Sequence, residues 1–170
     1  MQRNGFTLIE LMVTISVAAI LLALAVPAFQ NLLISNRITA QTNDLVSDLA
    51  FARSEAIKRG LIVSACVANT PLTTPPTCGA GTNWSSGWIV FVDNGTIGDA
   101  TGDTIIRVHE ALRGNNTLNS SGNNFISYFP SGTIDATETF TLCHTATRGR
   151  TIVVSATGRV NTTQTALVCP

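Results

Sequence analysis

The chain has 170 residues, a length that fits one globular domain. Ten basic and ten acidic residues cancel, so no overall basic field marks a nucleic-acid binder. Charged residues make up only 12% against 45% apolar ones, which excludes a disordered chain. After residue 60, Thr, Ser, Asn and Gly take the place of charge, a composition expected of a β domain outside the cytoplasm.

From Leu11 to Phe29 there is no charge: LMVTISVAAILLALAVPAF. As a helix this run is roughly 28 Å long, close to the hydrocarbon thickness of a bilayer. Before it stands MQRNG, with one Arg and no acid, which predicts a cytoplasmic N-terminus and an exported remainder. A cleaved signal peptide needs a small-x-small site after the run, and Ala25-Val26-Pro27 breaks that pattern. The segment is therefore expected to be retained. Glu10, at the head of the run, is costly in lipid and so carries a functional hypothesis of its own; its bland reading is a favourable charge in a first helical turn.

Gly5-Phe6-Thr7-Leu8-Ile9-Glu10 followed by the apolar run resembles the class III leader of type IV pilins and type II secretion pseudopilins. The resemblance implies cleavage by prepilin peptidase between Gly5 and Phe6, then methylation of the new Phe6 amine. It also implies an apolar segment kept first as a membrane anchor and later as filament core. In such a water-free bundle Glu10 can pair with the Phe6 amine of a neighbouring subunit, a buried pair that sets register more than it adds stability.

Past the membrane, Ile38, Leu45, Leu49, Ala52 and Ala56 step along one face of a helix, with Asp44, Asp48, Glu55 and Lys58 mainly off it. Lys58 and Arg59 suit a helix C-terminus, and Gly60 suits its cap. From Phe6 to Arg59 the helix would measure about 80 Å. Pro27, inside it, is expected to kink or locally melt it.

After Gly60 come short β-rich runs between turn clusters. These are Leu61–Cys66, Gly87–Val92, Thr104–His109, Phe125–Phe129, Thr139–Cys143, Thr151–Ser155 and Arg159-Val160, with a tight hairpin at Thr157-Gly158. The expected fold class is α+β and type IV pilin-like: a long N-terminal α-helix, membrane-spanning in its first half, packed on a C-terminal antiparallel β-sheet domain. The expected division is leader 1–5, membrane and filament-core helix 6–29, amphipathic helix 30–60 and globular β-rich domain 61–170.

Four pieces are similar to the minor pilins of the FimU/FimT group and their secretion counterpart, the GspH-like pilins. They are Ala52-Arg53-Ser54-Glu55-Ala56, Trp84-Ser85-Ser86-Gly87-Trp88-Ile89-Val90-Phe91, Phe129-Pro130-Ser131-Gly132 and Gly158-Arg159. This resemblance implies a minor pilin that joins a tip complex with other minor pilins and primes assembly of the major pilin. It places the subunit in the inner membrane, single-pass with a periplasmic C-terminal domain, and after assembly at the pilus tip on the cell surface.

Four cysteines in an exported chain favour disulfides and allow three connectivities. The expectation is neighbour pairing: Cys66–Cys78 would close the Pro-rich loop 70–77, and Cys143–Cys169 would tie the C-terminus to a strand. Zinc is the rival, but there is no C-x₂-C pair and no clustered His. Pseudopilins of the GspH-like branch usually lack such cysteines, which tilts the reading toward the type IV pilus.

No nucleophile motif supports an enzyme, and His109 and His144 stand alone in strand-like segments. Asp93, Asp99 and Asp103, with Gly95, Gly98 and Gly102, could hold Ca²⁺ but miss EF-hand spacing, so the loop reads as a solvated hairpin. No cofactor or resident metal is expected. Arg148, Arg150 and Arg159 are the last three charges, and no acid follows Glu138. A salt-sensitive DNA contact through them, for natural transformation, is the main alternative function. The DNA-binding members carry a glycine–arginine motif with further arginines, of which Gly158-Arg159-Val160-Asn161 keeps only the first. A minor pseudopilin of type II secretion is the other alternative.

Overall fold

Helix α1 runs from Leu8 to Arg59 without interruption in the computed structural model, which describes residues 7–69, 75–145, 148–164 and 169, with backbone alone at 145 and 148. The chain divides into two compact units, Met1–Arg37 and Ile38–Pro170.

In the first unit the helix begins at Thr7, whose Oγ1 accepts from the Glu10 backbone N–H at 3.3 Å, an N-cap contact. The hydroxyls of Thr14 and Ser16 turn back onto the carbonyls of Leu11 (2.9 Å) and Met12 (2.8 Å), so neither is stranded among apolar neighbours. The local melting expected at Pro27 does not occur, since the helix is continuous through it. Proline removes one backbone N–H donor, and the bonds of the adjacent turns carry the helix past it.

In the second unit the apolar stripe is buried: Ile38 is nearly so, and Leu45, Leu49, Ala52 and Ala56 are fully inside. The helix ends at Gly60, whose N–H donates to the Ala56 carbonyl at 3.0 Å. Eight strands follow: β1 Ile62–Val67, β2 Trp88–Asp93, β3 Thr104–His109, β4 Thr117–Ser120, β5 Phe125–Tyr128, β6 Glu138–Thr145, β7 Arg148–Val154 and β8 Val160–Thr163. A turn of 3₁₀ helix at Trp84–Ser86 precedes β2.

The strands form two antiparallel sheets of four, ordered β3-β2-β1-β5 and β4-β6-β7-β8. The sequence suggested one sheet and had no strand at Thr117–Ser120. That strand carries a single large apolar residue, Leu118, among polar ones, so its pattern is that of a loop until Leu118 finds its place opposite Leu142.

In the first sheet, register sets the two faces. Val63, Ala65, Trp88, Val90 and Tyr128 share the face that meets α1 through Trp88 and Asp48. Cys66, Ile89 and Phe91 share the other with Ile105 and Phe125, and Ala100 and Cys78 pack against it. With both faces covered, β2 is buried at every position, which explains its unbroken apolar run. Trp84 anchors the second sheet, its ring edge-on to Phe140 at 4.9 Å.

Two disulfides close the fold, Cys66–Cys78 and Cys143–Cys169, in the neighbour pairing. Each is worth about 3 kcal/mol through restriction of the unfolded chain. The hairpin expected at Thr157-Gly158 joins β7 to β8. Ser155 N–H donates to the Arg159 carbonyl at 3.0 Å, leaving three residues at the tip with Gly158 at φ 74°.

Candidate assembly surface

Two surfaces bear on function. The first is the helix of the opening unit, where every large apolar side chain from Leu8 to Leu33 is between 49% and 76% exposed. An 18-residue window has a mean hydropathy of 2.5, enough by length and composition to cross a membrane. So large an apolar surface is stable only when lipid or other helices cover it. Glu10 stands exposed in the first turn, where its charge also suits the helix N-terminus. Gly5 and Phe6 lie outside the described residues.

The second surface is the region where three of the four family-like segments converge around Arg53. Its Nε donates to the Gly132 carbonyl at 2.9 Å and its Nη2 to the Thr157 carbonyl at 3.0 Å. One guanidinium thus clasps the Phe129–Gly132 turn and the β7–β8 hairpin onto α1. Both glycines have a positive φ, and at Gly158 the neighbouring backbone also leaves no room for a side chain. A Cβ on Gly158 would lie 2.0 Å from the Gly132 carbonyl oxygen, and one on Gly132 would lie 2.8 Å from Ile57 Cδ1. Tyr128, buried near Arg53, has its hydroxyl pushed well above its ordinary titration range by desolvation. Segments far apart in the chain thus meet in one tertiary contact.

The helix face also carries polar links that periodicity did not reveal. Asp48, placed off the stripe by its spacing, is buried and accepts from Trp88 Nε1 at 2.8 Å and Arg107 Nη1 at 2.6 Å. The Arg107 guanidinium sits 3.9 Å above the Phe51 ring. His109 stacks on Trp88 with centroids 3.8 Å apart, and its Nδ1 donates to the Glu110 carbonyl at 2.7 Å. Gln41 donates to the Arg113 carbonyl at 2.9 Å and accepts from Asn116, whose Oδ1 lies 2.6 Å from His144 Nδ1. Both histidines are thus held within the packing of the domain. Glu55 is also buried, and Arg59 at 2.6 Å, with Lys58 at 3.5 Å, holds its carboxylate below the ordinary range against the opposing effect of burial.

The three C-terminal arginines do not converge. Arg150 is partly buried and donates to Thr39 Oγ1 at 3.1 Å; with the Gln164 amide oxygen turned toward it, it also donates there at 2.9 and 3.2 Å. Arg159 is exposed at the far end of the same hairpin, roughly 15 Å along the strand. Arg148 opens β7, and its side chain lies outside the described residues. Among the described residues no group of three or more His, Cys, Asp or Glu is placed to hold a metal.

An exposed apolar helix leading into a helix-on-sheet domain defines a pilin-type subunit. Residues 41–158 match the family described as Type II transport protein GspH, and residues 1–26 match the prokaryotic N-terminal methylation motif; the chain belongs to the GspH family. Two solved structures share its fold, both of the type IV minor pilin FimU from Pseudomonas aeruginosa PAO1. The first, in space group P21, is 20% identical with a TM-score of 0.60, covering 76% of this chain and 90% of that one. The second, in space group P65, is 19% identical with a TM-score of 0.56, covering 74% and 92%. No curated protein matches the chain. The family is one of structural pilins, not enzymes, and pilin subunits assemble with one another. The apolar helix fits a membrane-anchored pilin.

Proposed function

We propose that this chain is a minor pilin of a type IV pilus, processed by prepilin peptidase between Gly5 and Phe6 and methylated at Phe6. It waits in the inner membrane with its β domain in the periplasm. It then joins other minor pilins in a tip complex that primes polymerisation of the major pilin. The observation that carries this reading is the apolar surface of the opening helix, which has no covering within its own unit yet leads into a GspH-type domain. In the filament, neighbouring helices replace lipid, and Glu10 sets register against the Phe6 amine of the next subunit.

This reading is preferred to DNA uptake because Arg150 is committed to Thr39 and Gln164, and Arg159 is separated from it along the hairpin. The test is made in a strain lacking the chain, complemented with wild type or Glu10→Ala. Mass spectrometry of the mature wild-type subunit is expected to give N-methylated Phe6 as the first residue. Surface pili are expected with wild type and are expected to be few or absent with Glu10→Ala. An intact Met1, or full piliation without the chain, would overturn the reading.

A further inference from the structure

The hairpin loop between β2 and β3 read in sequence as a solvated turn, but the structure withdraws the carboxylate at its start from water. Asp93 ends β2 and is only 5% exposed. Its Oδ2 accepts from Ser64 Oγ at 2.6 Å and from the Gly98 N–H at 2.8 Å. Ser127 Oγ lies 2.6 Å from Ser64 Oγ and completes the chain of hydroxyls. The other carboxylate oxygen of Asp93, Oδ1, is buried and has no hydrogen-bond partner among the described residues.

Across the loop, Asp103 is half-buried, with one carboxylate oxygen withdrawn from water. Its Oδ1 accepts from the Asn94 N–H at 3.2 Å, and its Oδ2 is buried without a partner among the described residues. The last ladder pair between β2 and β3 is Val92 with Thr104, so continuing the register by one position sets Asp93 opposite Asp103. Both then belong to the face of Phe91 and Ile105, away from α1.

Two like charges directly opposite on a sheet destabilise it, and a buried carboxylate oxygen without a donor costs more again. Here both costs fall on one end of one hairpin. Arg107, the one arginine on β3, does not offset them, because it is engaged with Asp48 and Phe51. A bound cation removes both costs together. All the donors at hand are oxygens, and the nearby cysteines, Cys66 and Cys78, are joined as a disulfide, so the chemistry selects a hard ion. Mg²⁺ demands near-octahedral geometry and gives up water reluctantly. Ca²⁺ accepts an irregular set of carboxylates, loop carbonyls and water.

We propose that the β2–β3 loop of this chain binds one Ca²⁺ between Asp93 Oδ1 and Asp103 Oδ2, with backbone carbonyls of residues 94–102 and water completing the shell. Asp99 is left out of the shell: it is exposed, and its Oδ1 accepts from both the N–H and the hydroxyl of Thr101. The ion ties the end of the hairpin down over Ser64 and Ser127. The proposal is independent of the pilus reading, because the site lies wholly within the β domain and asks nothing of the N-terminal helix.

The experiment uses the full chain, solubilised in detergent and stripped with EDTA. Titration calorimetry with CaCl₂ is expected to give one ion per chain. Thermal unfolding is expected to shift upward by about 5–10 °C at a hundredfold excess over the dissociation constant. Asp103→Asn keeps the shape and the bond to Asn94 N–H but removes the charge, and should weaken binding at least tenfold. Glu110→Gln, an exposed acid beyond the other end of β3, should bind as wild type does. Wild type that takes up no Ca²⁺, Asp103→Asn that binds undiminished, or Glu110→Gln that loses as much would each overturn the proposal. An equal response to MgCl₂ would overturn the assignment to Ca²⁺.

Discussion

The two units of the chain satisfy the same physical demands in opposite ways. Between Leu8 and Leu33 the helix keeps its hydrogen bonds to itself, and its large apolar side chains remain about half exposed or more. Between Ile38 and Arg59 the helix carries fewer apolar residues, yet Leu45, Leu49, Ala52 and Ala56 are fully buried, and even Asp48 and Glu55 find partners. The lesson is that a helix can be specified without being completed. The second segment finishes its packing within its own unit, while the first requires a covering of lipid or helices.

The largest expected effect concerns the second segment, where packing is internal and steric. Gly158→Val places a side chain against the Gly132 carbonyl at a positive φ and should cost about 4 kcal/mol in denaturant unfolding, or prevent folding. An unchanged midpoint would mean that the Arg53 clasp yields readily and that the domain is looser than its contacts imply.

Leu22→Arg acts on the first segment and should disfavour membrane insertion by roughly 3 kcal/mol. Membrane fractionation should show reduced retention, while the unfolding midpoint of the β domain in detergent stays within error of wild type. A shifted midpoint would break the contrast, because it would tie the apolar segment into the domain's own stability.

Asp48→Ala leaves Trp88 Nε1 and the Arg107 guanidinium without their acceptor and should cost about 2 kcal/mol, since Arg107 is partly solvated. Asp48→Asn should recover part of the loss by keeping one acceptor for the indole.

The smallest effect is electrostatic. Glu55 titrates below the ordinary carboxylate range because Arg59 and Lys58 favour its charged form. The unfolded chain therefore binds this proton first, so the contribution is complete above roughly pH 5 and is lost as pH falls through the lowered value. Melting temperatures of wild type and Glu55→Gln should converge between pH 5 and pH 3. A gap that widens toward acid would reverse the assignment.

Much of this fold was legible in the sequence, and the reasons are local. The 3.6-residue period of the apolar stripe located the buried helix face because a helix has one face to bury. Gly60 after two basic residues marked the helix end through capping. The β2 run Trp88-Ile89-Val90-Phe91-Val92 announced a strand through its β-rich composition. The pieces shared with the family pointed to the region that Arg53 clasps, although their roles there were not readable.

The features that escaped were set by long-range partners. β4 has too little apolar character to stand out, and it exists as a strand because β6 pairs with it. The division into two sheets depends on where chain crossings fall, and strand patterns do not encode that. Asp48 was read as lying mainly off the apolar stripe; its burial required an indole and a guanidinium from residues 40 and 59 positions away. The carboxylates at Asp93 and Asp103 were read as part of a solvated hairpin because their spacing misses that of an EF-hand. Only the register of β2 on β3 set them opposite each other, and only the covering of that sheet face buried Asp93 and half-buried Asp103.

By itself, then, the sequence determined the features set by neighbours along the chain: an apolar helix of membrane length, its buried continuation, its cap, and most of the strands. Tertiary structure decided which polar groups were withdrawn from water and what they met there. Burial converts a charge from a solvated ornament into a demand for a partner, and that partner is supplied from distant parts of the chain.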